Sequence, residues 1–161
     1  MMGNELQIQH TVPANSLAYE KGKEFVTMRV GGQLFGISVM AVRDVLRGMK
    51  VTKVPLSPPE IAGSLNLRGR IVTAIDLSIC FELQKSEPID FSKVMSVVVE
   101  YKGEFFSLIV DSVDEVINLP AALMEKPPAN LSPHWKEVAE GIYKLEEELI
   151  IILDIQKLLK F

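Results

Sequence analysis

Two pairs of segments repeat within this chain, in the same order along it. FGISVMAVRDVL, residues 35–46, aligns with FSLIVDSVDEVI, residues 106–117, at an offset of 71. GSLNLRGRIVTAIDL, residues 63–77, aligns with GIYKLEEELIIILDI, residues 141–155, at an offset of 78. One such match could arise by chance among common residues, but two in the same order, at similar offsets, indicate a duplication. The repeat therefore predicts two similar units, each holding one copy of the repeated segments.

Short apolar runs punctuated by glycine and proline make up both units, which we place around residues 25–77 and 94–155. Gly31-Gly32 joins two such runs and Lys102-Gly103 joins two others, a pattern typical of β-hairpins. Many short strands with such turns favour small barrels. We predict a mainly β chain of two small barrels packed side by side, with a short C-terminal helix. The polar, unperiodic residues 1–22 are expected to form a flexible tail.

The segment NLRGRIVTAIDL places two arginines around Gly69, directly before an apolar run. A three-residue loop, Arg68-Gly69-Arg70, would leave the apolar residues of both flanking strands on one face; these are Leu65, Leu67, Ile71, Thr73, Ile75 and Leu77. A two-residue loop would pair Leu67 with Arg70 and divide that set, so the pattern favours the longer loop. The second copy shows the same face, with Tyr143, Leu145, Leu149, Ile151, Leu153 and Ile155 around Glu146-Glu147-Glu148.

The loop charge is inverted between the two copies, so the scaffold itself does not require arginines. We interpret Arg68 and Arg70 as residues that serve a binding partner. Asp44 precedes the first hairpin, and we predict that it pairs with Arg68 in the free protein. The counterparts in the second copy are Glu115 and Glu146, so this pairing of opposite charges is not repeated there.

Composition excludes several classes of protein. With 17 Lys plus Arg against 21 Asp plus Glu, the net charge is −4. Small β barrels often bind nucleic acids, so a nucleic-acid binder is the alternative class. Such a protein attracts the phosphate backbone with clustered cations, and this sequence has no stripe of basic and aromatic residues. No apolar run approaches the roughly 20 residues that cross a bilayer, and no signal peptide is recognised, so we expect a cytoplasmic protein without direct membrane insertion.

No catalytic or metal motif is recognised, and we predict no enzyme activity, no cofactor and no metal. His134 is interpreted as a surface residue. Cys80 is interpreted as a buried, inert thiol. Because it is the single cysteine, no internal disulfide can form. Asp76 and Asp154 each end a strand before a helical segment, where N-capping is the favoured role. An acidic group at Asp111, Asp114 and Glu115 matches no calcium loop and is interpreted as a solvated face. Trp135 is expected to pack or to anchor a loop.

The chain resembles the CheW family of chemotaxis coupling proteins. The resemblance covers about residues 23–161 and rests on GKEFVTMRVGGQLFGISVMAVRDVL, the spacing to VTKVP, and GSLNLRGRIVTAIDL. Its most specific part is the run N-L-R-G-x-I-V-x-x-x-D-L, present as Asn66, Leu67, Arg68, Gly69, Ile71, Val72, Asp76 and Leu77. Where the family often has a proline after Ile-Val, this chain has Thr73.

The resemblance implies two SH3-like five-stranded β subdomains and no catalysis. Proteins of this family are adaptors in bacterial chemotaxis signal transduction. One surface binds the regulatory domain of the histidine kinase CheA, and another binds the cytoplasmic tip of methyl-accepting chemoreceptors, at a groove between the subdomains. Matched by position, the receptor- and kinase-binding residues of this chain would be Val42, Asp44, Val45, Asn66, Arg68 and Gly69.

Related proteins carry the same module, so the resemblance leaves alternatives. The chain could be the CheW-like regulatory module of a related kinase, or of a coupling protein fused to a receiver domain. It could also serve a twitching or gliding pathway. Because the chain stops soon after its last strand and helix, a stand-alone adaptor, associated with receptor arrays at the inner face of the membrane, is the expected form.

Overall fold

The computed structural model describes residues 22–83 and 88–160. The strands are β1 Lys23–Val30, β2 Gln33–Ser38, β3 Val42–Arg47, β4 Ile61–Leu67, β5 Arg70–Asp76, β6 Met95–Tyr101, β7 Glu104–Val110, β8 Ser112–Leu119, β9 Ala139–Lys144 and β10 Leu149–Leu153. The helices are α1 Leu77–Cys80, α2 Pro133–Val138 and α3 Ile155–Leu158, and 3₁₀ turns span Val39–Ala41 and Ala121–Leu123. The predicted flexible tail, residues 1–22, lies outside the described residues apart from Gly22.

Within the described residues the strands form two five-stranded sheets, ordered β8-β1-β2-β10-β9 and β3-β6-β7-β5-β4. The chain divides into two compact units. Among the described residues, the terminal unit comprises 22–28, Gly32–Met40 and 114–160, and the middle unit comprises Arg29–Gly31, 41–83 and 88–113. The predicted mainly β fold, with five strands in each of two sheets and short helices, is confirmed. Among the described strands each sheet runs from one edge strand to another and is not closed into a barrel by hydrogen bonds.

The duplication is visible in how the strands pair. In the first sheet β2 runs parallel to β10 and pairs Phe35 with Ile151. In the second sheet β7 runs parallel to β5 and pairs Phe106 with Thr73. The two phenylalanines differ by the offset of 71, and Thr73 and Ile151 differ by the offset of 78. Both sheets therefore contain the same parallel pair in the same register.

The prediction that each unit holds one complete copy of the repeat is wrong. β2 from the first copy pairs with β10 from the second, and β7 from the second copy pairs with β5 from the first. The copies thus exchange strands. Because equivalent strands of a duplicated chain offer similar surfaces, an exchange of this kind satisfies the same contacts as pairing within one copy. Sequence similarity identifies equivalent strands but not which of them pair.

Each unit buries its own apolar cluster. The terminal unit packs Phe25, Leu34, Ile117, Leu119, Tyr143, Ile150 and Ile152 together. The middle unit packs Leu65, Val72, Ala74 and Ile109, with partly buried side chains such as Leu46, Met49 and Phe105 around them. β10 lies inside its sheet, and its sequence LIIIL is buried at all but its first residue. A strand buried on both faces carries such a continuous apolar run because neither face meets water.

The hairpin register differs from the prediction by one residue. Leu67 pairs with Arg70 and Leu65 pairs with Val72, so the loop contains only Arg68 and Gly69. Both loop residues have positive φ, 52° and 81°, as a type I′ turn requires. The predicted three-residue loop is therefore wrong.

The second hairpin has the same register but a different turn. Leu149 pairs with Lys144, and the backbone N–H of Leu145 donates to the carbonyl of Glu148 at 2.8 Å. The predicted loop of three glutamates is therefore also wrong by one residue, because Glu148 lies opposite Leu145. Neither Glu146 nor Glu147 has the positive φ that Arg68 and Gly69 adopt, so the backbone of the turn differs between the two copies.

The shorter loop places Arg70, a charged residue, on the side of β5 that faces the core, and the contacts of its side chain explain why this is tolerated. The register places it on the same side of the hairpin as Val72, which is fully buried. Its guanidinium lies over the ring of Phe105, 4.2 Å from the ring centroid. A long cationic side chain can cover apolar surface while its head remains in water, and an aromatic face attracts the cation. Ile71 takes the opposite side and is 73% exposed.

The two aspartates that end β5 and β10 cap the helices that follow, as predicted. The Asp76 carboxylate, which is buried, accepts hydrogen bonds from the backbone N–H of Ser78 at 3.0 Å and from its hydroxyl at 2.6 Å. The Asp154 carboxylate accepts from the backbone N–H of Lys157 at 3.2 Å. Each cap satisfies a helix N–H that has no partner within the helix.

We expect Asp76→Ala to lower the free energy of unfolding by about 1–2 kcal/mol, because it leaves a buried N–H and a buried hydroxyl without their acceptor. Asp154→Ala is the matched control, and it should cost about 1 kcal/mol or less because its cap is longer and more exposed. Urea unfolding with unchanged m-values measures both. An equal or larger loss for Asp154→Ala would contradict this ranking.

Candidate functional site

The six predicted binding residues all belong to the middle unit. Val42, Asp44 and Val45 lie on β3, while Asn66, Arg68 and Gly69 lie at the tip of the β4–β5 hairpin. β3 and β4 are the two edge strands of their sheet, yet Arg68 Nη1 lies 2.9 Å from Asp44 Oδ2. The sheet therefore curves until its two edges approach each other at this point. The predicted pairing of Asp44 with Arg68 is confirmed.

The tip of this hairpin is held in a conformation that side chains disfavour. Arg68 adopts φ 52°, which costs a residue other than glycine roughly 1–2 kcal/mol. The Asn66 side-chain oxygen accepts a hydrogen bond from the backbone N–H of Gly69 at 2.9 Å and so fastens the turn. A Cβ at Gly69 would meet no atom within 4 Å, so its glycine is required by φ 81° and not by space. The strain is therefore at Arg68 and not at Gly69, since glycine adopts positive φ freely.

A β-bulge orients Asp44 toward the hairpin. Val42 pairs with Val99 and Asp44 pairs with Val98, so Arg43 is the extra residue of β3. A bulge re-aims the neighbouring side chains. Arg43 forms its own ion pair, with Nε 2.9 Å from the Glu100 carboxylate.

The ion pair at the tip is asymmetric in its exposure. The Arg68 side chain is 78% exposed, whereas that of Asp44 is 24% exposed. Asp44 is fixed further because its other oxygen accepts from the backbone N–H of Val45 at 2.8 Å. A guanidinium carries five N–H donors in a planar fork, and most of this one faces solvent. The pair thus holds a cation in place while leaving most of it open to another molecule.

Sequence reasoning missed Ile71, which it assigned to the core face. Ile71 instead lines an open groove of about 610 Å³ beside the hairpin, together with residues of β3, β4 and the connection between them: Leu46, Gly48, Met49, Lys50, Thr52, Ser64, Leu65, Asn66 and Leu67. An exposed isoleucine within a groove, next to an exposed arginine, suits recognition of a surface with apolar and acidic side chains. The exposed position of Ile71 follows from the observed hairpin register and could not be predicted from the residue pattern.

The residues weighed for catalysis do not converge. Burial, with smaller contributions from Glu60 and Asp76, raises the pKa of the Cys80 thiol to about 12. His134 lies on α2 in the other unit. In the described residues no group of three or more His, Cys, Asp or Glu is placed to hold a metal ion. The carboxylate of Asp111 accepts a hydrogen bond from the backbone N–H of Gly31 at 2.7 Å, which gives it a structural role.

The remaining titratable and aromatic residues also have structural explanations. Burial, together with the charge of Asp114, raises the pKa of Glu115. Trp135 packs edge-on against Phe35 with ring centroids 5.7 Å apart, so its predicted packing role is confirmed. None of the helices in the described part of the chain has the length and apolar character needed to span a bilayer.

Comparison with known proteins agrees with the fold. The family model of the CheW-like domain matches residues 24–161. The chemotaxis protein CheW of Klebsiella aerogenes is 31% identical over 138 residues, covering 86% of this chain and 82% of that protein. The chemotaxis protein CheW of Bacillus subtilis is 29% identical over 133 residues, covering 83% of this chain and 84% of that protein.

A solved structure gives the same result. The crystal structure of the scaffolding protein TtCheW from Thermoanaerobacter tengcongensis superposes with a TM-score of 0.77 at 31% identity, covering 87% of this chain and 94% of that one. Both the sequence and the backbone are therefore similar over most of the described chain. This chain belongs to the CheW family.

Proposed function

We propose that this protein is a non-catalytic adaptor that couples methyl-accepting chemoreceptors to the histidine kinase CheA in bacterial chemotaxis. Its family relatives carry the names of chemotaxis and scaffolding proteins. The adaptor works at the cytoplasmic face of the membrane, within receptor arrays. It binds the cytoplasmic tip of a receptor through one surface and the regulatory domain of CheA through another.

One observation carries the assignment of the site. Arg68 is held at the tip of a strained turn by Asp44, yet its side chain is 78% exposed. The other hairpin of the duplicated chain has the same register, but its Glu146 and Glu147 do not adopt positive φ, so the scaffold requires neither an arginine nor the strained conformation at this place. Strain of this kind persists at functional sites because the surrounding structure compensates for it. The cost of the arrangement has an explanation if Arg68 binds a partner.

The chemistry of the site suits a helical partner with acidic side chains. A planar guanidinium forms two parallel hydrogen bonds with a carboxylate, and its face packs against apolar groups. Val45 is 39% exposed and Ile71 is 73% exposed, so apolar contacts are available beside the cation. We assign Val42, Asp44, Val45, Asn66, Arg68 and Gly69 to the receptor- and kinase-binding site, and add Ile71 to it.

We expect Arg68→Ala to weaken binding to a receptor-tip fragment or to the CheA regulatory domain by about 2 kcal/mol, roughly thirtyfold, as for an arginine at the centre of an interface. Its free energy of unfolding should change by less than about 1 kcal/mol, because an exposed ion pair contributes little to stability. Calorimetric titration and urea unfolding provide the two measurements.

Lys93→Ala is the matched control, since Lys93 is also an exposed cation of the middle unit in an ion pair, 4.0 Å from Asp90, and lies outside β3 and the β4–β5 hairpin. It should leave both affinities within about twofold, as for residues outside the group that dominates an interface. Equal losses for the two variants, or unchanged affinity for Arg68→Ala, would contradict the assignment.

A double-mutant cycle of Asp44→Ala and Arg68→Ala should show whether Asp44 orients the Arg68 side chain for binding or stabilises the fold. We expect a coupling of less than about 1 kcal/mol in urea unfolding, because the arginine is largely solvated. In partner binding the coupling should be larger, because Asp44 holds the guanidinium in its binding position. Additive effects on binding would show that Asp44 does not orient Arg68.

The thiol of Cys80 should be nearly inert in the folded protein. A pKa of about 12 in place of 9.0 lowers the thiolate fraction near pH 8 about a thousandfold, and only the thiolate is nucleophilic. An aromatic disulfide reagent at pH 8 should label it far more slowly than free glutathione, and rapidly once urea unfolds the chain. Fast labelling of the folded protein would reopen the question of a reactive thiol.

A further inference from the structure

The middle unit has a second open depression, of about 670 Å³, whose rim is unusually apolar. Val54 is 43% exposed, Ile79 is 40% exposed and Leu56 is completely exposed. Leu56 also adopts φ 62°, a left-handed conformation that is unfavourable for leucine. A strained leucine that packs against nothing in its own unit adds no stability there. We refer to this surface, formed by Val54, Leu56, Ser57 and Ile79, as the Leu56 depression.

The duplication shows what occupies the equivalent place in the terminal unit. The backbone N–H of Asp76 donates to the carbonyl of Glu60 at 2.8 Å, and the N–H of Asp154 donates to the carbonyl of Val138, also at 2.8 Å. Asp76 and Asp154 differ by the offset of 78, and so do Glu60 and Val138. The segment from Pro55 to Glu60 is therefore the counterpart of helix α2, and α1 is the counterpart of α3.

The two counterparts differ in structure. In the terminal unit α2 packs against α3, and its Trp135 contacts the ring of Phe35. In the middle unit the residue equivalent to Trp135 is Ser57, and two prolines, Pro58 and Pro59, follow it. Proline within a helix removes a hydrogen bond and clashes with the preceding turn, so this segment forms no helix. The middle unit thus keeps the backbone hydrogen bond between Asp76 and Glu60 but lacks a helix and an aromatic side chain equivalent to Trp135.

We propose that the Leu56 depression is a docking site for a short amphipathic helix of a partner protein, which inserts a large aromatic side chain beside Ser57, the position equivalent to Trp135 of the terminal unit. Helices commonly bind proteins in this way, through apolar side chains laid into a groove. The charges select the partner further. Lys53 is a cation that lines the depression, whereas Asp76, which also lines it, is 3% exposed and engaged as a helix cap. The occupant is therefore a helix with an acidic residue at its edge.

This inference does not depend on the receptor and kinase assignment. It uses none of the residues placed in the hairpin site, and it follows from the difference between two halves of one duplicated chain. Leu56 resembles Arg68 in one respect. Each has an exposed side chain and an unfavourable left-handed backbone conformation, and backbone strain of this kind is concentrated at functional sites.

The chain supplies its own probe for the experiment. A peptide with the sequence LSPHWEEVA, which is residues 131–139 with Lys136 replaced by glutamate, is titrated into the isotope-labelled full chain and followed by NMR. We expect chemical-shift changes centred on Val54, Leu56 and Ile79, and binding at least about tenfold tighter than that of the same peptide with alanine in place of tryptophan. Equal binding of the two peptides, or shift changes spread over other surfaces, would overturn the proposal.

Two variants separate binding from folding. Ile79→Glu should weaken peptide binding about tenfold or more and lower the urea midpoint only slightly, because the side chain is already partly in water. Leu56→Gly should raise the urea midpoint, since glycine accepts positive φ freely, and weaken peptide binding at the same time. Unchanged peptide binding by both variants would overturn the proposal.

A second copy of the chain is the remaining occupant to be tested. Sedimentation of the full chain should show a monomer whose behaviour Ile79→Glu does not alter. A dimer that disappears in Ile79→Glu would overturn the proposal in favour of self-association through this surface.

Discussion

The parallel pairing between strands of different repeat copies is the constraint on which the rest of this fold depends. β2 is held by β10 and β7 by β5, so neither sheet can form until distant parts of the chain meet. Parallel strands are buried on both faces, and their side chains supply much of each core. Once these pairs are in register, the hairpins that contain β5 and β10 are fixed in position. Arg68 lies at the tip of one of those hairpins.

The hairpin tip illustrates how a rigid scaffold holds an exposed arginine in place. The two-residue turn forces Arg68 into a left-handed conformation, and Asn66 fastens the turn from within. Curvature of the sheet then brings the opposite edge strand close, where a bulge orients Asp44 toward the guanidinium. Each of these contacts is weak by itself. Together they restrict where the guanidinium can lie, which reduces the entropy lost when a partner binds.

The two units differ chiefly where their shared backbone meets solvent. One hairpin carries arginines and the other glutamates, and one capping segment is a helix with Trp135 while the other is a proline-containing loop with Ser57. The buried parallel pairs, by contrast, keep the same register in both units. A duplicated scaffold can diverge in this manner because surface changes away from caps and special backbone positions cost little stability. The differences are therefore confined to positions that the shared scaffold leaves free to vary.

The residue pattern alone determined the mainly β class, the duplication and the aspartate caps. These follow from local chemistry and from similarity between segments, which do not depend on how the chain closes. The tertiary structure decided the hairpin register and the exchange of strands. Both faces of β5 carry apolar residues, Val72 and Ala74 on one and Ile71 and Ile75 on the other, so alternation cannot select a register. Packing selects it, because Arg70 can lie over Phe105 while Ile71 stays at the surface. Strand exchange is likewise invisible in the sequence, because equivalent strands of a duplicated chain present nearly the same surface to either partner.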